Sequence, residues 1–98
     1  MRGIVYGKTF KSASIKLAKI KEDYEKMDIK IKQHRKSCNQ EEILFENNDI
    51  WLAVGASESS RGRACNVAYI DSDIDDNIVQ HVLLPTVKNY PYQAYKYY

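Results

Sequence analysis

The sequence predicts a small single-domain α/β protein: a long amino-terminal helix and a second, shorter helix packed on a small sheet. Three observations lead there. Apolar residues recur at helical spacing through residues 9–36, a stretch without Gly or Pro. Two short apolar runs flank an Asn-Asn-Asp turn. A continuous apolar run, Asn66 to Asp71, leads into a capped helix start.

The first element is read as an entry segment, residues 1–9, with Gly3-Ile4-Val5-Tyr6-Gly7 taken as a loop that delivers the chain to the helix. In the helix, 9–36, Leu17, Ile20, Tyr24, Met27 and Ile31 follow spacings of three and four, and Phe10 extends the stripe backwards. Lysines fill the positions between them. A break near Asp28, where β-branched residues begin, is the alternative to one unbroken helix. Residues 42–71 hold the strands. Ile43-Leu44-Phe45 and Ile50-Trp51-Leu52-Ala53-Val54 form a hairpin around Glu46-Asn47-Asn48-Asp49, where Asn and Asp tolerate left-handed geometry. A polar loop from Gly55 to Arg63 precedes the run Asn66-Val67-Ala68-Tyr69-Ile70-Asp71, whose unbroken apolarity marks a buried, parallel-type strand. The second helix covers 74–84. Ser and Asp residues cap its start, Ile74, Ile78 and Val82 give its face, and Pro85 stops it. In the tail, 88–98, Tyr90, Tyr92, Tyr95 and Tyr97 alternate as in an edge strand.

Composition narrows the class. A chain of 98 residues closes one core. Its 44% apolar and 29% charged residues exclude collagen, a disulfide scaffold and a fully disordered chain. The net charge of +2 hides an asymmetry. Residues 1–40 carry eleven Lys/Arg and four Asp/Glu, or +7; residues 41–98 carry four and nine, or −5. Cys38 and Cys65 are far apart in sequence and read as reduced thiols. His34 and His81 are isolated in sequence and read as incidental. No apolar run has the length of a membrane span or of a signal peptide. The expectation is a soluble cytoplasmic protein with no membrane role.

Two motifs could carry chemistry. Gly3-Ile4-Val5-Tyr6-Gly7-Lys8-Thr9 before a helix has the parts of a phosphate loop. There, glycines let backbone amides wrap phosphate, Lys reaches the terminal phosphates, and Ser/Thr holds Mg²⁺. The full pattern has four residues between its glycines; here there are three. A phosphate loop also follows a buried strand, which the reading of residues 1–9 leaves out. The second motif is Val67-Ala68-Tyr69-Ile70-Asp71, a hydrophobic strand that delivers a carboxylate to its end, as a Mg²⁺ ligand would need. Between them lies Ala56-Ser57-Glu58-Ser59-Ser60-Arg61-Gly62-Arg63, where Arg61 or Arg63 could meet phosphate or a partner.

In this order the motifs resemble the ATPase core of the large terminase subunit of tailed phages. The matching features are Gly7-Lys8-Thr9 with its helix, the hairpin Ile43 to Ile50, the Ala56-Ser57 to Arg61-Gly62 segment and the strand ending at Asp71. The resemblance implies a reduced phosphate-loop fold. It implies a nucleotide site at Gly3, Gly7, Lys8 and Thr9, with Asp71 as the Mg²⁺ ligand and ATP as the nucleotide. Ser72 stands where the family carries a water-activating Glu, so catalysis is expected to be reduced. The leading expectation is therefore a phage or prophage accessory protein that binds a protein partner, such as a host defence nuclease, or a second copy of itself. Arg61, Arg63, Asp73, Asp75, Asp76, Tyr90, Tyr92, Tyr95 and Tyr97 are the contact candidates. Unpaired sheet edges would favour such contacts. Two other expectations stand beside it: a nucleotide-binding protein of DNA packaging, and a nucleic-acid binder that uses the lysine-rich helix.

Overall fold

Ile4, Val5 and Tyr6 are three consecutive residues, each fully buried. They form the middle of β1 (Arg2–Gly7) in the computed structural model, which describes residues 1–57, 60, 63–87 and 94–98. Residues 3–7 are thus a strand and not a loop. Three consecutive apolar residues of extended preference, covered on both faces, pair better than they turn. A strand does enter the Lys8–Thr9 turn, and it is this segment itself.

The chain then runs through α1 (Phe10–Lys26), β2 (Ile31–Lys36), β3 (Gln40–Phe45), β4 (Ile50–Gly55) and β5 (Val67–Ile70). A helical stretch follows, α2 (Asp76–Ile78), a π-helical turn (Val79–Leu83) and a 3-10 turn (Leu84–Thr86), before β6 (Ala94–Tyr97). The sheet order is β2-β3-β4-β1-β5-β6. β1 lies parallel between β4 and β5, β6 is parallel to β5, and β2-β3-β4 is an antiparallel meander.

Two apolar clusters sandwich the sheet. Val5, Ile43, Phe45, Trp51 and Ala53 meet Ala13, Leu17, Ile20 and Tyr24 of α1 on one face. Ile4, Tyr6, Leu52, Val54, Ala68 and Ile70 meet Val79, Val82, Leu83 and Val87 on the other. The alternation of Ile4, Val5 and Tyr6 between the two faces is the period-two geometry of a strand.

The helix expected over 9–36 ends at Lys26. Asp28 adopts a positive φ of 59°. Its N–H donates to the Glu25 carbonyl, and that of Ile29 donates to the Tyr24 carbonyl. This is a Schellman closure, with Asp in the left-handed position more often held by Gly. Ile31 then pairs with Phe45 in β2 and packs on the core, while Met27 is left exposed. The hairpin turn forms as expected, with Asn48 at φ 71°. The second helix begins later than expected, at Asp76, with the Asp75 carboxylate accepting from Asn77 N–H as its cap. Pro85 sits within the closing 3-10 turn. Of the tyrosine tail, Ala94–Tyr97 is an edge strand; Tyr90 and Tyr92 lie outside the described residues. The loop after β4 is not wholly solvated, since Ser60 is buried.

Candidate functional site at the carboxyl edge of the sheet

The parallel strands β4, β1 and β5 all end on one edge, and α1 and α2 lie on opposite faces. Such an edge is where α/β folds place ligands. Gly55, the turn Lys8–Thr9 and Asp71 meet there.

Asp71 organises the edge. The residue is 7% exposed. One carboxylate oxygen accepts from Ser12 Oγ at 2.7 Å and from the Lys8 backbone N–H at 3.1 Å. The other accepts from Asp73 N–H at 3.0 Å. The Asp71 N–H donates to the Tyr6 carbonyl at 2.9 Å, which fixes the residue to β1. The Tyr98 hydroxyl donates to the same carbonyl at 3.1 Å. Burial pushes the Asp71 pKa up. The hydrogen bonds from Asp73, Ser12 and Lys8, with the Lys8 charge, outweigh that, and the carboxyl is held below its ordinary value. The carboxylate also faces the start of α1, where free amides and the helix dipole favour an anion. Lys8 and Asp71 thus meet across the charge divide of the sequence, through a backbone N–H.

The predicted phosphate loop is not assembled. Gly3 and Gly7 stand at opposite ends of β1, about 13 Å apart at strand rise. A Cβ on Gly3 would lie 2.4 Å from the Trp51 ring. The turn into α1 contains Lys8 and Thr9 alone. Thr9 is the helix cap, its hydroxyl accepting from Ser12 N–H at 3.2 Å. Three internal donors already occupy Asp71. The residues present therefore do not fit a phosphate cradle with a Mg²⁺ ion.

The remaining candidates are dispersed. Asp73, Asp75 and Asp76 are exposed at the start of α2. Tyr95 and Tyr97 are exposed on β6, their rings edge to face at 6.2 Å. Arg63 lines a cavity of 350 Å³ with Phe10, Gln40, Gly55 and Ser57, and its buried Nε lacks a hydrogen-bond partner among the described residues. Arg61 lies outside the described residues.

Two polar centres were not read from the sequence. Glu41, nearly buried on β3, accepts from Ser14 Oγ and pairs with His34 Nε2, both at 2.6 Å. Asp49 accepts from the Tyr24 hydroxyl at 2.7 Å, and that hydroxyl accepts from Trp51 Nε1 at 2.9 Å. Their partners are 7 to 27 residues apart, too far for a local pattern to show.

Burial raises the pKa values of Glu41 and Asp49 as well. Hydrogen bonds from Ser14 and His34 to Glu41, and from Tyr24 and the amino terminus to Asp49, more than reverse this. All three carboxyls are thus depressed in the folded state. Their contribution to stability is complete above the unfolded value near 4 and is lost as pH falls through the folded values. The urea midpoint should hold between about pH 5 and 8 and drop steadily below about pH 4. Asp71→Ala should remove that acid dependence in part and cost about 2–3 kcal/mol at neutral pH, because three donors lose a charged acceptor. A loss under 0.5 kcal/mol in urea unfolding would contradict this role.

No protein-family model and no curated protein matches the sequence. Among solved structures, the chain is similar to the large terminase of a thermophilic bacteriophage. One crystal form of it aligns at TM-score 0.70 and 13% identity, and a form in complex with ADP at 0.67 and 14%. Each alignment covers 98% of this chain and 25% of the terminase. The fold is therefore terminase-like, and the chain spans about a quarter of the length of the proteins that it resembles.

Proposed function

We propose that this chain is a phage or prophage accessory protein derived from a terminase-like ATPase core, which holds a protein partner and does not turn over nucleotide. The observation that carries this reading is the state of Asp71. In the strand-end position of a metal-binding carboxylate it serves as an internal tie, joining β5 to the start of α1 through Ser12 and Lys8. Phosphoryl transfer depends on a positioned cradle, a metal and a group that orients the nucleophile. Here the cradle glycines are in a strand, and Ser72 follows the aspartate.

Titration calorimetry of the protein with Mg²⁺ and ATP is expected to show no saturable heat at millimolar nucleotide. A one-to-one isotherm would overturn the loss of nucleotide binding. Cross-linking with quantitative mass spectrometry in phage-infected cells should return one protein at equal stoichiometry, and its absence would count against a binding role.

One observation favours a second reading. The lysine-rich segment beyond Lys26 is an edge strand, and Lys32, Arg35 and Lys36 are exposed on it, with Lys30 just before it. Such a basic edge could lie along a phosphate backbone. A mobility shift at low salt that disappears with Lys32→Glu and Lys36→Glu would support it.

A further inference from the structure

α1 packs chiefly on β1 and β4. Among the described residues, β5 and β6 have a lighter cover on the same face. Val67 and Tyr69 of β5 are only partly buried there, and Lys96 stands opposite Tyr69 on β6. Tyr69 shares this face with Val5, its neighbour on β1. Between the flank of α1 and Tyr98 lies a groove of 390 Å³, lined by Lys11, Ser12, Ile15, Lys16, Lys19 and Tyr98, with Thr9 at its end.

Three properties of the groove define what fits it. Its walls are apolar at the base: Ile15 is 55% exposed, and the Tyr98 ring forms the far side. Its rim is cationic. Three lysines of α1 line it, no lining residue among those described has a carboxylate side chain, and the nearest, Asp71, is bound to Ser12 at one end. Lys16 Nζ stands 4.8 Å from the centre of the Tyr69 ring and 5.7 Å from that of Tyr98. Its shape is long. Thr9 to Lys19 is about 15 Å of helix, the length of roughly three turns. A compact anion would use one end of it; a helix laid beside α1 would use all of it. In layered α/β domains this is the space that a neighbouring helix fills.

We infer that this groove docks an amphipathic helix of a protein partner, apolar towards Ile15 and Tyr98 and acidic along the edge that faces Lys11, Lys16 and Lys19. This deepens the proposed function and rests on its reading of the chain as a protein binder. The binding mode is the helix-in-groove type, in which anchors at i, i+3/i+4 and i+7 supply affinity and rim charges supply selectivity. Glu22 and Asp23 come one turn beyond the cavity on α1. The acidic stretch of the partner therefore ends there.

The test uses two stapled helical peptides of about 14 residues with one Leu frame at that spacing, one carrying Glu between the leucines and the other Lys. Fluorescence anisotropy should show the Glu peptide binding at least about tenfold tighter, and amide exchange should show protection of residues 12–19. Ile15→Asp, at an exposed position of α1, and Lys16→Glu, on the rim of the groove, should each weaken it about tenfold while circular dichroism stays unchanged. Equal binding of the two peptides, a footprint on β2 or α2, or an unaffected Ile15→Asp variant would overturn the inference. A natural partner found at another surface would overturn the groove and leave the binding role standing. A saturable Mg²⁺–ATP isotherm would overturn the loss of nucleotide binding whatever the peptides do.

Discussion

Gly7→Ala is expected to destabilise the domain by about 3 kcal/mol or more. A Cβ there would lie 2.3 Å from the Thr9 carbonyl oxygen, 2.5 Å from the Ala13 backbone nitrogen and 3.0 Å from the Ala13 Cβ. Two of these three are backbone atoms, and Ala13 is itself fully buried, so the neighbours cannot rotate away. Relief requires α1 to move off the end of β1. That movement would pull Lys8 and Ser12 from the Asp71 carboxylate, which couples the steric cost to the loss of two hydrogen bonds. Gly55→Ala is the control. Its Cβ would meet Phe10 N at 3.3 Å and Thr9 atoms beyond that, a contact that a small shift accommodates. Urea unfolding of both variants should separate them by about 2 kcal/mol. Equal midpoints would mean that the strand-to-helix turn is not a close approach. The glycine that a phosphate-loop reading assigns to an anion is thus assigned by the structure to helix–strand contact.

Phe45→Ala is expected to cost about 3–5 kcal/mol. Phe45 is fully buried at the end of β3, and its ring stacks on Tyr24 with centroids 3.9 Å apart and planes 11° from parallel. Its partner across the strands is Ile31 of β2, so the cavity would open beneath the segment that was expected to be helix. Removing Phe45 should loosen β2 along with the core. Chemical denaturation should show the loss of stability, and amide exchange should show β2 opening more often than β1. A cost below 1 kcal/mol, or unchanged exchange in residues 31–36, would contradict the packing. Met27→Ala, at an exposed position of the same apolar stripe in the sequence, should stay within about 0.5 kcal/mol of the parent.

These two positions also mark where the sequence was readable and where it was not. The hairpin around Asn48, the parallel strand before Asp71 and the apolar face of Leu17, Ile20 and Tyr24 each follow from residues close in the chain. Propensity and spacing are local, and so they report local elements. Ile31 illustrates the limit. It continues the helical stripe in register, yet Asp28 turns the chain, and pairing with Phe45 makes the next segment a strand. The alternative break near Asp28 was visible, but the partner that decides it lies fourteen residues further on. Gly3 to Gly7 failed in the same way. Two glycines suggest a loop, whereas burial between β4 and β5 makes a strand.

For the candidate site, the motifs named residues that the fold brings to one edge of the sheet, Lys8, Thr9 and Asp71. Their contact is a backbone N–H, a helix cap and a buried carboxylate, and Ser12 completes it. Nothing in the order of residues marks Ser12, because its role is set by a partner 59 positions away.

By itself the sequence determined an α/β domain with a basic front, an acidic back and most of the elements between them. Those properties sum over neighbouring residues and survive any arrangement of the pieces. Only the tertiary structure decided that β1 sits inside the sheet, that Asp71 is satisfied from within and that three lysines rim a groove beside α1. Each of these depends on which distant surfaces exclude water together, a choice made by the whole chain at once.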